Sequence, residues 1–256
     1  MINIKTPQEI TIMSNGGKIL SEIMWEVLKY IKQGVSELEI DALADKLIRE
    51  KGGEPGFKKV NGYNYTICVS TNDVSVHGIP SKYIFKEADV VGVDCGVYYQ
   101  GFHTDMSETL RVSNKKLKIK NKKDEVDIFL ETGKTALSEA INQVKEGNHI
   151  GDISKTIQDI VEKKGYSVVK SLVGHGVGRE LHEDPEVPGF LTGPIEKTPV
   201  LENGMVIAIE VIYNMGKPEL ILDKDGWTLR TADGSLAGLF ERTVAITKKG
   251  PLILTP

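Results

Sequence analysis

Apolar side chains recur at helical spacing in two pairs of segments. In the first pair, Thr6-Pro7-Gln8-Glu9 offers a capping hydroxyl, a proline at the first helical position and a glutamate three residues after the cap. This helix is predicted to run to about Ile31. A second capping box, Ser36-Glu37-Leu38-Glu39, predicts a helix that ends at Lys51-Gly52-Gly53. The second pair is predicted at roughly 124–144 and directly after Gly147.

A shift of 113 positions aligns the two pairs. It places Lys32, Gly34, Ile40, Lys51 and Gly52 on Lys145, Gly147, Ile153, Lys164 and Gly165. The shared glycines favour a duplication, although any two amphipathic helix pairs share some apolar positions. We therefore predict a single domain, 1–256, with two pseudo-symmetric halves, 1–112 and 124–256, joined by a lysine-rich segment, 114–123.

Strand-like patterns follow each helical pair. Candidates lie at 65–70, 205–213 and 239–247, and 90–112 is predicted to form a hairpin that turns near Tyr99-Gln100-Gly101. Helices and strands come in blocks rather than in strict alternation. The sequence therefore predicts an α+β fold with a mostly antiparallel sheet.

Composition narrows the class of protein. Hydrophobic residues make up 40% and charged residues 27%, and 32 basic against 36 acidic side chains give a net charge of −4. This balance is typical of a globular protein and argues against nucleic acid as the main partner. The longest apolar run, Met205 to Ile209, is too short to span a membrane, and no secretory signal is visible. Two cysteines, Cys68 and Cys95, predict reduced thiols and a cytoplasmic location.

The lysine-rich segment 114–123 allows two interpretations. Its six lysines are typical of a solvated loop between the halves, because like charges repel and extend a chain. The alternative is an electrostatic contact with phosphates.

Three acids stand inside otherwise apolar strands: Asp94, Glu210 and Glu241. An unpaired carboxylate there costs several kcal/mol or becomes protonated, so a compensating cation or shared proton is expected. Asp105 joins them, because a turn at Tyr99-Gln100 would place it directly opposite Asp94 in the hairpin. A metal ion between the two would relieve their repulsion; otherwise Asp105 lies at a frayed strand end and faces water.

Three histidines, His77, His175 and His182, lie beside glycine or proline in segments that resemble turns and strand ends. His103 and His149 are interpreted as surface or structural residues. An oxygen-rich set of acids with one imidazole suits two divalent ions rather than a thiolate zinc site. Two such ions can activate a water molecule and polarise a carbonyl, which indicates hydrolysis.

The same residues carry a family resemblance that covers nearly the whole chain. The segments are Cys68–Pro80, Asp94 with Gly101–Asp105, Gly174–Pro185, Ile209-Glu210 and Phe240–Thr243. They resemble type I methionine aminopeptidases, whose fold is the pita-bread fold of two pseudo-symmetric halves. The resemblance implies removal of the N-terminal methionine from nascent polypeptides, with a preference for a small second residue.

The resemblance also implies a role for each site residue. Two divalent metal ions (Co, Mn, Fe or Zn) are expected, with Asp94, Asp105, His175, Glu210 and Glu241 as ligands. Asp105 and Glu241 would bridge the ions, and Glu210 would also handle the proton of the attacking water. His77 and His182 would hydrogen-bond the scissile amide. Substrate-binding positions are Tyr63, Cys68 and Trp227, beside the two catalytic histidines.

The chain departs from the family pattern at several positions. Leu181 replaces the usual phenylalanine before the second histidine, and Val60 replaces a pocket tyrosine. Val211, Gly96 and Leu239 replace a proline, a threonine and a glutamine near the ligands. These changes touch the pocket and the strands but remove no ligand.

Two other functions remain open. Proline-specific relatives, aminopeptidase P and prolidase, share the metal set but normally carry an extra N-terminal domain. A metal-free binding protein on the same fold would be a scaffold, which the five retained ligand positions argue against. A monomer is expected, with nascent chains as partners. The substrate makes the ribosome a candidate partner, although no motif points to it.

Overall fold

Four helices form in the two predicted pairs. A computed structural model describes residues 2–113 and 124–256, so the lysine-rich segment lies outside the described residues. The helices are α1 (Pro7–Tyr30), α2 (Glu37–Glu50), α3 (Glu125–Asn142) and α4 (Ile150–Lys163). The capping boxes at Thr6 and Ser36 are both present, which confirms the two predicted helix starts.

Thirteen strands are described, most of them short. They are β1 (Glu54–Pro55), β2 (Ile67–Thr71), β3 (Val74–Val76), β4 (Val90–Tyr99), β5 (Phe102–Arg111), β6 (Ser167–Val168), β7 (Gly174–Gly176), β8 (Glu183–Val187), β9 (Val206–Asn214), β10 (Leu220–Leu222), β11 (Leu229–Thr231), β12 (Ala237–Thr247) and β13 (Gly250–Ile253). Ten of them form one sheet with the core order β1-β4-β5-β12-β9-β7-β8, and β10-β11-β3 form a small second sheet. The described strand pairs are antiparallel, which confirms the predicted fold class.

The large sheet has related arrangements on either side of the central β5–β12 pair. On one side β4 pairs with β5, β2 and β1; on the other β9 pairs with β12, β7 and β6. The shift of 113 positions carries α2 onto α4 and β1 onto β6 with no offset. These correspondences agree with two related halves, whose boundaries stay a prediction.

One face of the large sheet is covered by helices. One core cluster joins α3 and α4 to β9 and β12, and another joins α1 and α2 to β2 and β4. Because side chains alternate across a strand, Ile209 and Val211 enter the helical side while Glu210 between them points away. The acids found inside apolar strands therefore lie on the face without helices.

The predicted pairing of Asp94 with Asp105 is wrong. Asp94 lies opposite Ser107, and Asp105 lies opposite Gly96. The two aspartates are therefore diagonal neighbours on one face rather than a direct pair.

The reason is the position of the turn. Tyr99 pairs with Phe102, so the two loop residues are Gln100 and Gly101. Both have positive φ values, 48° and 92°, as a type I′ turn requires, and glycine adopts this conformation without strain. The loop lies one residue later than the prediction assumed, which shifts the partner of Asp94 by two residues.

The described residues contain no helix with the length and apolar character that crossing a membrane would require.

Helix α3 approaches the sheet through Gly133, and this contact supports the strands that carry two of the acids. A Cβ atom at Gly133 would lie 2.5 Å from Phe240 Cδ2 and 2.5 Å from Tyr213 Oη. Tyr213 Oη donates a hydrogen bond of 2.6 Å to Phe129 O, which fixes that ring beneath the helix. The glycine is therefore required by close packing.

We expect Gly133→Ala to destabilise the protein by about 1–3 kcal/mol, because overpacking outweighs the gain of about 1 kcal/mol in helix propensity. Urea unfolding of the two proteins measures the difference. Ser138→Ala, on the exposed side of the same helix, is the matched control and should leave stability unchanged or slightly raised. A Gly133→Ala variant as stable as this control would contradict the packing argument.

Candidate metal centre

The first row of the site crosses five strands at one level of the sheet. Cys68 lies opposite Asp94, Asp94 opposite Ser107, Ser107 opposite Glu241, and Glu241 opposite Glu210. Directly paired residues in antiparallel strands share a face. The register of the sheet alone therefore brings three predicted ligands into one line.

The second row lies two residues away on the same face. Asp105 precedes Ser107 by two positions on β5, and His175 on β7 lies opposite Ala208, two positions before Glu210. Thr243 completes this row. Its Oγ1 accepts a hydrogen bond of 2.9 Å from Asp105 N and donates one of 2.8 Å to Asp105 O. One ligand atom each of Asp105, His175 and Glu241 lie within 4.8 Å of one another.

The two remaining predicted ligands lie beside these three. His175 Nε2 is 3.6 Å from Glu210 Oε1. Asp94 Oδ1 is 2.8 Å from Ser107 Oγ, which is itself 2.9 Å from Glu241 Oε2. All five side chains line one cavity of about 130 Å³. The structure thus brings the whole predicted ligand set together.

Ser107 is a site residue that sequence reasoning missed. Its hydroxyl is fully buried and has one proton, so it donates to only one of the two carboxylates at a time. The available signal was its spacing, two residues after Asp105 in the same strand, which places it on the acidic face.

Burial disfavours the charged form of all four acids, and neighbouring carboxylates add to this effect at three of them. Removal from water raises the pKa of Asp94 to about 6, and removal from water together with the charge of Asp94 raises that of Glu210 to about 8. The pKa values of Asp105 and Glu241 are also raised, first by burial and then by neighbouring carboxylates. Glu241 Oε1 is buried and has no hydrogen-bond partner among the described residues. Four carboxylates with an unpartnered oxygen fit a site for divalent cations.

His175 is held in the form that binds a metal. Its Nδ1 lies 2.8 Å from the Gly176 carbonyl oxygen, which can only accept, so Nδ1 carries the proton. Burial lowers the pKa of His175 to about 4, so the ring is neutral at pH 7. The unprotonated Nε2 therefore faces Glu210 and the other acids, as the fixed tautomer of a ligand histidine does.

His77 and His182 line the same cavity. His77 follows β3 with a φ of 55°, and Gly78 after it is required because a Cβ there would collide with Val69 O. His182 is exposed, in the loop between β7 and β8, and its ring centre is 4.4 Å from that of His175. Both imidazoles thus face the space in front of the acids.

An apolar wall adjoins the acids. Tyr63, Cys68 and Trp227 line it, and the centres of the Tyr63 and Trp227 rings are 5.1 Å apart. The hydroxyl of Tyr63 donates 2.8 Å to Ile67 O, and burial raises the pKa of the Cys68 thiol, so both present neutral surface. Asp225 Oδ1 accepts from Trp227 N at 2.9 Å and fixes the loop that carries the tryptophan.

Phe57 belongs to this wall and was not predicted. A Cβ atom at Gly96 would lie 2.8 Å from Phe57 Cε1. The absence of a side chain at Gly96, noted as a departure from the family pattern, therefore makes room for the ring of Phe57. Val60 and Leu181, two further departures, line the same cavity.

The other two histidines lie outside the cavity lining. His149 Nδ1 lies 2.8 Å from Thr198 O, which agrees with a structural role. His103 is buried rather than on the surface, with its ring centre 4.8 Å from that of Tyr98.

Comparison with known proteins agrees with this geometry. The model of metallopeptidase family M24 matches residues 11–248. The methionine aminopeptidase of Clostridium perfringens and methionine aminopeptidase 1 of Bacillus subtilis are each 40% identical over 255 residues, covering 100% of this chain and 99% of theirs. The crystal structure of Thermotoga maritima methionine aminopeptidase has a TM-score of 0.93 and 40% identity, covering 100% of this chain and 99% of that one.

Proline-specific enzymes share the fold at greater distance. The Xaa-Pro dipeptidase of Bacillus anthracis has a TM-score of 0.77 and 23% identity, and the match covers 98% of this chain but 61% of that one. The matched family, the full-length relatives and the clustered acids together indicate a hydrolase with a divalent metal cofactor. The chain belongs to metallopeptidase family M24.

Proposed function

We propose that this protein removes the N-terminal methionine from nascent polypeptides. The observation that carries the proposal is a single cavity that joins five candidate metal ligands to an apolar wall. Full-length similarity to methionine aminopeptidases supports the same activity. The expected cellular setting is the cytoplasm, with the enzyme acting as a monomer.

Asp94, Asp105, His175, Glu210 and Glu241 would hold two divalent ions, and Co, Mn, Fe and Zn all suit this donor set. When bound, such ions supply Lewis acidity and lower the pKa of coordinated water. The protein's own contribution is to fix the carboxylates. Ser107 connects Asp94 to Glu241, and Thr243 holds the backbone of Asp105.

Glu210 would take a proton from the attacking water and return it to the leaving amine. The pKa of Glu210 is raised to about 8 in the metal-free protein. Bound divalent ions would lower it, so the group would be ionised and able to accept a proton. His77 and His182 face the same space and would hydrogen-bond the scissile amide as charge develops on its oxygen. The wall of Tyr63, Cys68 and Trp227 would take the methionine side chain.

A free N-terminus bound at the metal centre would fix the start of the peptide, so the second residue would meet a narrow site. We expect a Met-Ala-Ser peptide to be cleaved with a kcat/KM about 10²-fold higher than a Met-Lys-Ser peptide, because the larger side chain does not fit. Steady-state kinetics with metal-loaded protein measures the ratio. An Ala-Pro peptide serves as the test of the proline-specific alternative, and faster cleavage of that peptide would favour the alternative.

Glu210→Gln removes the proton acceptor while keeping the side-chain shape. We expect kcat to fall by about 10²–10⁴-fold with little change in the urea midpoint. Glu202→Gln, the same substitution at an exposed position eight residues earlier, is the control and should keep full activity. Full activity of Glu210→Gln would exclude the proton-handling role.

The metal-free protein should lose stability as pH rises. The folded pKa of Glu210 is about 8, against 4.5 for the free group, so between these values the folded state binds more protons than the unfolded state. The free energy of unfolding therefore falls with rising pH across this window. Divalent ions compete with protons for the same oxygens, so their stabilising effect should grow with pH.

Thermal unfolding with EDTA and with added Mn²⁺, each at pH 6 and pH 8, measures this effect. The metal-induced rise in Tm should be larger at pH 8, and it should shrink in Glu241→Gln. An equal metal-induced rise in Tm at both pH values would contradict the proposed competition between protons and divalent ions. No metal uptake by elemental analysis would favour the non-catalytic scaffold.

A further inference from the structure

A buried ion pair that the proposed mechanism does not use includes Glu183, the residue after His182. Lys5 Nζ is 2.6 Å from Glu183 Oε2, and the side chains are 5% and 4% exposed. The pKa of Glu183 is lowered: its burial would raise it, but the hydrogen bond and charge of Lys5 outweigh that effect. A buried ion pair usually adds little stability over an apolar pair of the same size, so its presence calls for another explanation.

Glu183 closes the loop that carries His182. Its Oε1 accepts from Glu180 N at 3.2 Å, and Gly178 N donates to Glu180 O at 3.0 Å. The carboxylate thus binds the loop with one oxygen and Lys5 with the other. Leu181 and His182, the two residues between Glu180 and Glu183, both line the cavity.

Lys5 is itself held by the body of the protein. Its N donates 2.8 Å to Gly204 O in the turn before β9, the strand that carries Glu210. A Cβ atom at Gly204 would lie 2.8 Å from Lys5 O, so the segment lies directly over this glycine. The ammonium therefore connects the turn before a ligand strand to the loop of a cavity histidine.

The first turn of α1 makes a second contact with this loop. Arg179 Nη2 donates 2.8 Å to Glu9 Oε1, but the arginine side chain is 67% exposed. An exposed pair contributes little to holding a loop. Of these two side-chain ion pairs, the buried one is the stronger candidate for fixing the loop, beside the backbone hydrogen bond of 2.7 Å from His103 N to Gly178 O.

We infer that Lys5 and Glu183 are positioning residues that set the location of His182 relative to the metal ligands. The inference rests on the proposed function, in which His182 contacts the scissile amide. Lys5 touches no substrate, and its effect passes through the Glu183 carboxylate and the amide of Glu180.

The first test is Lys5→Met, which removes the charge and keeps a long apolar side chain. We expect kcat on Met-Ala-Ser to fall at least about tenfold, because a displacement of about 1 Å at a catalytic group can cost up to 10²-fold. In a His182→Ala background the same substitution should cause no further fall in kcat. Lys51→Met, which breaks the exposed pair with Glu22, is the matched control and should not alter kcat.

A second variant separates positioning from stability. Lys5→Met/Glu183→Leu replaces the ion pair with apolar side chains and should unfold at a Tm equal to or above that of the wild type. Its kcat should stay low, because Glu180 N has lost its acceptor. Recovery of both kcat and stability in this double variant would overturn the inference. The inference would also fail if the losses of kcat in Lys5→Met and His182→Ala multiplied when the two substitutions were combined.

Hydrogen exchange provides a readout that does not depend on activity. The amides of Gly178 and Glu180 should exchange faster in Lys5→Met than in the wild type, with or without metal. Unchanged exchange would overturn the inference even if the wild type cleaves Met-Ala-Ser. Faster exchange in a protein that cleaves no methionyl peptide would instead leave the loop contact standing and refute the proposed function.

Discussion

Burial of four carboxylates beside one another is the constraint on which the rest of this structure depends. Asp94, Asp105, Glu210 and Glu241 share one face of a sheet, where burial raises the pKa of all four. The charges of Asp94, Asp105 and Glu210 each raise the pKa of at least one other acid as well. Packing does not relieve the cost of ionising them, since one oxygen of Glu241 has no partner among the described residues. The arrangement becomes favourable when cations are bound, because the buried carboxylates otherwise lack a compensating positive charge.

The sheet and the helices together position the four acids. Strand alternation separates an apolar side, buried under α1 to α4, from the acidic side, while register lines the acids up in two adjacent rows. Contacts behind the site then fix individual groups: Gly176 sets the tautomer of His175, and Thr243 holds the backbone of Asp105. Ligand precision here comes from backbone pairing more than from side-chain packing.

Much of the fold and of the candidate site was predictable from local sequence patterns. Capping boxes gave the starts of α1 and α2 correctly because their hydrogen bonds involve only neighbouring residues. Acids inside apolar strands marked three of the five candidate ligands, since a buried charge needs a partner wherever the strand lies. The resemblance added the pocket positions Tyr63, Cys68 and Trp227.

Most of the misses depend on information that spacing does not contain. The pairing of Asp94 failed by two residues because the φ requirement of the turn, not the chain length, sets hairpin register. Phe57 and Lys5 have ordinary sequence neighbours and are connected to the site only by contacts across strands or loops. The spacing of Ser107 was an available signal, but its hydrogen bond to Glu241 was not. Such long-range contacts become visible only when the sheet is assembled.

The central β5–β12 pair has a kinetic consequence. Its contacts join Asp105 to Thr243 and Ser107 to Glu241, residues 138 and 134 positions apart. Contacts of such sequence separation require large loops to close and form slowly. Folding should therefore reach the cation-binding state in its late steps, and an intermediate that has formed only one side of the sheet would present acids without the opposing groups needed to chelate.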